Sequence, residues 1–80
     1  MTPPAIKPDP RAIDAFVTED MILVSLADGR ELSVPLAWSE KLLASSEAER
    51  ANWQLVGTGE ALRWPDVDEE IAVVSLMRVA

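Results

Sequence analysis

The strongest constraint on this chain lies between Met21 and Pro35. Met21-Ile22-Leu23-Val24-Ser25-Leu26 is an apolar run rich in strand formers. Ala27-Asp28-Gly29-Arg30 follows, and then Glu31-Leu32-Ser33-Val34-Pro35 alternates polar with apolar. Asp-Gly between two such runs marks a hairpin, because glycine accepts the positive φ that tight hairpin turns demand. Gly29 is therefore a structural anchor, and Leu32 and Val34 share one face of the second strand. A chain built around this hairpin is not all-helical.

Around the hairpin the pattern predicts further strands near residues 12–17, 53–57 and 61–64, the last two joined by the turn Gly57-Thr58-Gly59-Glu60. A phosphate loop is the other reading of Gly57-x-Gly59, but it needs a helix directly after the glycines, and a short β-like run follows instead. Between Trp38 and Asn52 two short helices are expected. Ser39 is a candidate N-cap for the first, and Ser46-Glu47-Ala48-Glu49 matches a capping box for the second. Neither is long enough to stand without a sheet to pack on. Val67, Ile71, Val74 and Leu76 fit helical spacing, so a short C-terminal helix ending near Arg78 is expected, although Ile71-Ala72-Val73-Val74 also suits a strand.

The predicted fold is thus α+β: one small antiparallel sheet covered on one face by two short helices, with a short C-terminal helix. Residues 1–10 hold four of the six prolines and read as an extended leader, with residues 11–80 as a single domain. The expected core is Phe16, Ile22, Val24, Leu26, Leu32, Val34, Leu42, Leu43, Leu55, Leu62, Ile71 and Leu76. Three tryptophans, Trp38, Trp53 and Trp64, are the large anchors of an otherwise aliphatic interior.

At 80 residues the chain buries only about 60% of its unfolded surface, so net stability is on the order of 3–5 kcal/mol. Cysteine is absent, which removes disulfides and thiolate metal sites. The N-terminus is not a signal peptide, and no apolar run approaches the roughly 18 residues of a membrane span. The cytoplasm is the expected location. The formal net charge is −7, with 7 cations against 14 carboxylates, which disfavours direct contact with nucleic acid or an anionic membrane. A basic protein partner is compatible with it.

An ordered set of residues then points to a family. Asp28-Gly29-Arg30, Val34-Pro35-Leu36, Glu49-Arg50, Gly57-x-Gly59 and Trp64-Pro65-x-x-Asp68-Glu69-x-Ile71 with Leu76 resemble the bacterial domain-of-unknown-function family 2442 from Ile13 onward. Glu70 and Leu76-Met77 stand where that family usually shows Asp and a Leu-Leu ending. The resemblance implies a compact α+β domain without an established activity. Some members look like the antitoxin halves of toxin–antitoxin pairs, and others are joined to a helix-turn-helix domain. That appended domain is missing from these 80 residues, so direct DNA reading is not carried over.

The stretch Trp64-Pro65-Asp66-Val67-Asp68-Glu69-Glu70-Ile71 carries the candidate site. Asp66, Asp68, Glu69 and Glu70 crowd between a tryptophan and an apolar tail. Catalysis is disfavoured because His, Cys and Tyr are all absent and so small a domain has little room for a cleft. Oxygen ligands for Mg²⁺ or Ca²⁺ are present, but the spacing lacks the glycine and distal glutamate of an EF-hand loop. Acidic residues opening a helix at Glu69 would meet the positive end of its dipole, with Pro65 fixing the entry and Trp64 anchoring it to the sheet. On that reading Trp64 is buried, while Glu69 and Glu70 are exposed and bind no metal. The same four carboxylates are the candidate partner-binding surface.

The function expected is a non-enzymatic protein-interaction module, antitoxin-like, that docks a small basic, toxin-like protein without a cofactor. The alternative is a regulatory or ligand-sensing domain acting in transcription with a separate DNA-binding chain. A homo-oligomer is open under either.

Overall fold

The computed structural model describes residues 9–77, so the leader expected over 1–10 and the helix end expected near Arg78 lie largely outside the described residues. Strands β1 (Ala12–Val17), β2 (Met21–Leu26) and β3 (Glu31–Pro35) form an antiparallel sheet in that order. A 3-10 turn over Leu36–Trp38 leads to helices α1 (Glu40–Leu43) and α2 (Glu47–Ala51). Strands β4 (Gln54–Val56), β5 (Ala61–Trp64) and β6 (Glu69–Ala72) form a second antiparallel sheet, and α3 (Val73–Leu76) follows. The architecture is mixed, with two three-stranded sheets where the sequence suggested one.

The hairpin forms as its residues dictate. Gly29 takes φ +93°, and the ladder pairs Ile22 with Val34 and Val24 with Leu32. Asp28 closes the turn: its carboxylate accepts from Arg30 N (3.0 Å), Arg30 Nε (2.8 Å) and Asp9 N (2.9 Å). The hydrogen bond from the Arg30 side chain, with the two backbone amides, lowers the Asp28 pKa to about 2. A depressed carboxylate stabilises the fold above its unfolded pKa and stops doing so as pH falls through the folded value. Acid titration should therefore erode stability from about pH 4 down to about pH 2 through this group. Asp28→Asn, followed by thermal unfolding across that range, should flatten the slope; an unchanged slope would remove Asp28 from the acid transition.

The first sheet turns Ile22, Val24 and Leu26 inward, all at most 1% exposed. Phe16, expected in the core, is instead 65% exposed. A bulge between Ala12 and Asp14 places Ala12 opposite Leu26 and Ala15 opposite Val24, so both alanines face inward and Phe16, opposite Leu23, faces out. Leu43 and Leu55 are also corrections, both largely exposed. Leu42 and Leu43 lie about 100° apart on a single helical turn, so only Leu42 reaches the interior. Leu55 sits on the edge strand β4, beyond the fully buried Leu62 it pairs with. Leu32 and Ile71 pack at the core's rim, while Leu36 and Val73 join its centre.

The C-terminal segment differs most from expectation. Glu69–Ala72 is a strand rather than the first turn of a helix, and helix begins only at Val73. Leu62 and Trp64 are fully buried, and β5 is the central strand of its sheet, so its backbone groups need ladder partners on both sides. β6 supplies the second ladder, with Trp64 opposite Glu69 and Leu62 opposite Ile71. The two sheets meet at the β4–β5 turn. Ala12 N donates to Gly59 O (2.7 Å), and Val73 N donates to the neighbouring Glu60 O (2.9 Å).

Candidate functional site

Trp64 ends β5 wholly buried, as expected, and its Nε1–H donates to Arg50 O at 3.0 Å. The Arg50 guanidinium in turn donates to the carbonyls of Leu42 and Leu43, both at 3.0 Å, which satisfies the C-terminal end of α1. Pro65 opens a 3-10 turn over Pro65–Val67, and Asp68 closes it in the left-handed region at φ 51°, ψ 47°. Among the described residues Asp68 is the only non-glycine with positive φ, a conformation that aspartate tolerates better than most side chains.

None of the four acidic side chains caps an α-helix, because Glu69–Ala72 is a strand. Their partners lie on other elements, Asp68 and Glu70 sharing Arg63, and this replaces the dipole reading. Asp66 accepts from Asn52 Nδ2 at 3.0 Å. Asp68 pairs with Arg63 at 3.1 Å, and its carbonyl accepts from Lys41 Nζ at 2.8 Å. Glu69 accepts from Ser39 Oγ at 2.6 Å and from the Glu70 amide at 3.1 Å. Glu70 is exposed, with Arg63 the nearest cation at 3.8 Å. Glu69, expected on the surface, is half-buried because the Ser39 hydroxyl draws it inward. With the carboxylates diverging in this way, no group of three or more acidic side chains among the described residues is placed to hold a metal ion.

Ser39 is the hinge of this arrangement. It is 4% exposed, accepts from Leu42 N (3.2 Å) as the N-cap of α1, and donates to Glu69 on β6. The cap was legible from sequence; the link to a residue thirty positions on was not. Ser39→Ala should destabilise by about 1–2 kcal/mol, from the lost cap and the half-buried carboxylate left without its donor. Urea unfolding measures this, and a loss below about 0.3 kcal/mol would show the link to be ornamental.

Beside this link a cleft of about 290 Å³ opens between the 3-10 turn at Leu36–Trp38, β6 and α3. Ile22, Ile71, Ala72 and Leu76 give it an apolar lining, Ser39, Ser75, Glu69 and Glu70 give it polar groups, and Trp38 forms one wall. Trp38 is 58% exposed, against the expectation of a core anchor. In a three-residue turn Leu36 takes the inward position, and Trp38, two residues on, cannot share it. No local pattern signals a cleft assembled from segments this far apart.

The comparisons agree with this architecture. The family described as "Protein of unknown function (DUF2442)" matches residues 12–80, and the chain belongs to it. A crystal structure of a protein of unknown function from Rhodospirillum rubrum ATCC 11170, at 2.75 Å resolution, has the same fold. It superposes with a TM-score of 0.72 at 23% identity, over 84% of this chain and 83% of that one. No curated protein matches the sequence. Among the described residues no helix is long and apolar enough to cross a membrane.

Proposed function

We infer that this domain is a non-enzymatic protein-interaction module, antitoxin-like in kind, that docks a basic protein partner in the cytoplasm. The observation that carries the reading is the exposed Trp38 on the lining of the cleft, a large apolar side chain left in solvent. Partner surfaces are enriched in exposed aromatics ringed by polar groups. The net charge of −7 supports a basic partner, since long-range attraction speeds encounter with one. The absence of His, Cys and Tyr supports a role in binding over one in catalysis.

Affinity capture from the native host, followed by binding measurements with the purified pair, tests the reading. A single small basic protein is expected, with affinity falling steeply between low and high salt. A domain that captures no partner under any condition, or a partner whose binding ignores salt, would overturn it.

A further inference from the structure

We propose that the domain pairs with a second copy of itself along the outer edge of β3, antiparallel and centred on Ser33. This goes beyond the interaction-module reading and does not depend on it. Among the described residues the two sheets present four edge strands, β1, β3, β4 and β6. An open edge invites another strand, so folded chains blunt theirs. On β1 a bulge breaks the line, Asp14 Oδ1 accepts from the outward Ala15 N at 2.9 Å, and the Gly59 carbonyl takes Ala12 N. Strand β4 is only three residues long. On β6 the Glu69 carboxylate accepts from the outward Glu70 N at 3.1 Å, and Ser75 Oγ donates to the outward Ala72 carbonyl at 2.6 Å.

Strand β3 is the exception. Leu26 N donates to Arg30 O and Leu36 N to Asp20 O, one bond at each end of the β2–β3 ladder. In that phase Leu32 and Val34 turn their backbone groups toward β2, while Glu31, Ser33 and Pro35 turn theirs away. Glu31 and Ser33 are exposed, and among the described residues nothing bonds their outward amides or carbonyls. With Ser33 opposite Ser33 of the second copy, the two serines exchange both hydrogen bonds, and each Glu31 N–H meets the Pro35 carbonyl across the seam. Pro35 has no N–H, so its place at the strand's end costs only the terminal bond on each side. The side chains agree with this register. Leu32 lies opposite Val34 of the second copy on the inner face, and Glu31 faces a proline rather than another carboxylate. A twofold axis through Ser33 thus satisfies backbone, apolar contact and charge together, which selects a second copy over an unrelated strand.

Sedimentation equilibrium of the whole protein, up to about 1 mM, should show monomer and dimer exchanging with a dissociation constant on the order of 100 µM. Ser33→Lys and Ser33→Glu each set like charges directly opposite at the twofold, and each should weaken the dimer by about tenfold or more. An equal mixture of the two variants should regain it, because opposite charges then face one another. Position 33 is exposed, and amide dispersion in dilute samples verifies that both variants fold. The chain has no cysteine, so Ser33→Cys supplies a lone thiol whose Cα lies about 5.5 Å from its twin, within disulfide reach. Mild oxidation should cross-link that variant far faster than Glu31→Cys, whose twin thiols stand apart along the seam. A parent that stays monomeric at the highest concentration, a dimer indifferent to Ser33→Lys or tightened by it, a mixture that fails to recover the dimer, or equal cross-linking at both positions would overturn the proposal.

Discussion

Trp64→Ala should leave the domain unfolded at 37 °C. The indole is fully buried at the end of β5, packs within the common core, and spends its one N–H on Arg50 O. Truncating a buried tryptophan costs about 3–5 kcal/mol through lost transfer energy and the cavity left behind. A domain of this size holds a net stability of about the same magnitude. The loss also spreads, because Arg50 itself holds the end of α1 through the carbonyls of Leu42 and Leu43. Circular dichroism and amide dispersion should both report an unfolded chain. Trp64→Phe keeps most of the volume but not the donor, so it should fold with a lowered melting temperature. A cooperative Trp64→Ala transition within a few degrees of the parent would show that Trp64 is not the keystone.

Gly59→Ala should cost nearly as much, about 3 kcal/mol, for a different reason. Gly59 has φ +110°, and a methyl group there would press on the carbonyl oxygen of Ala12 and lie 3.0 Å from its nitrogen. The obstruction is backbone, so no side chain can swing aside, and the Ala12–Gly59 hydrogen bond joining the sheets has to lengthen. Gly29 is the internal control: it too has positive φ, at +93°, but nothing lies within 4 Å of its missing methyl. Gly29→Ala therefore meets only the conformational penalty, about 1–2 kcal/mol. Paired urea titrations separate the two effects, and equal losses at both glycines would sink the claim that Gly59 marks the meeting of the sheets.

What could be read from the sequence was local. Asp28-Gly29 and its flanking runs specify the first hairpin, and Ser39 and Ser46 announce their helices, because these interactions close within a few residues. Asp66 to Glu70 misled for the opposite reason. The string Glu-Glu-Ile-Ala suits a helix start or an edge strand equally, and only the pairing needs of Leu62 and Trp64 on β5 decide between them. Phe16 was misplaced by a bulge that leaves no mark in the pattern of alternation. The division into two sheets and the cleft itself depend on which distant segments meet, as Ser39 meets Glu69, and no window of neighbouring residues contains that information.

The meeting of Ala12 and Val73 on adjacent carbonyls of one turn imposes an order on synthesis. A chain emerging from the ribosome can pair β1, β2 and β3 once Pro35 is out, yet the groups that cover Ile22, Val24 and Leu26 include Leu62, Trp64, Val73 and Leu76. Leu76 lies about 40 residues beyond Pro35, so until that stretch has left the ribosome the nascent sheet carries an uncovered aliphatic face. Closure then comes in a single late step, when the turn at Gly59–Glu60 takes up the amides from both sides. Nascent chains stalled with residues up to about 50 outside the ribosome should accordingly be held by chaperones that grip apolar segments, and emergence of the stretch through Leu76 should free them.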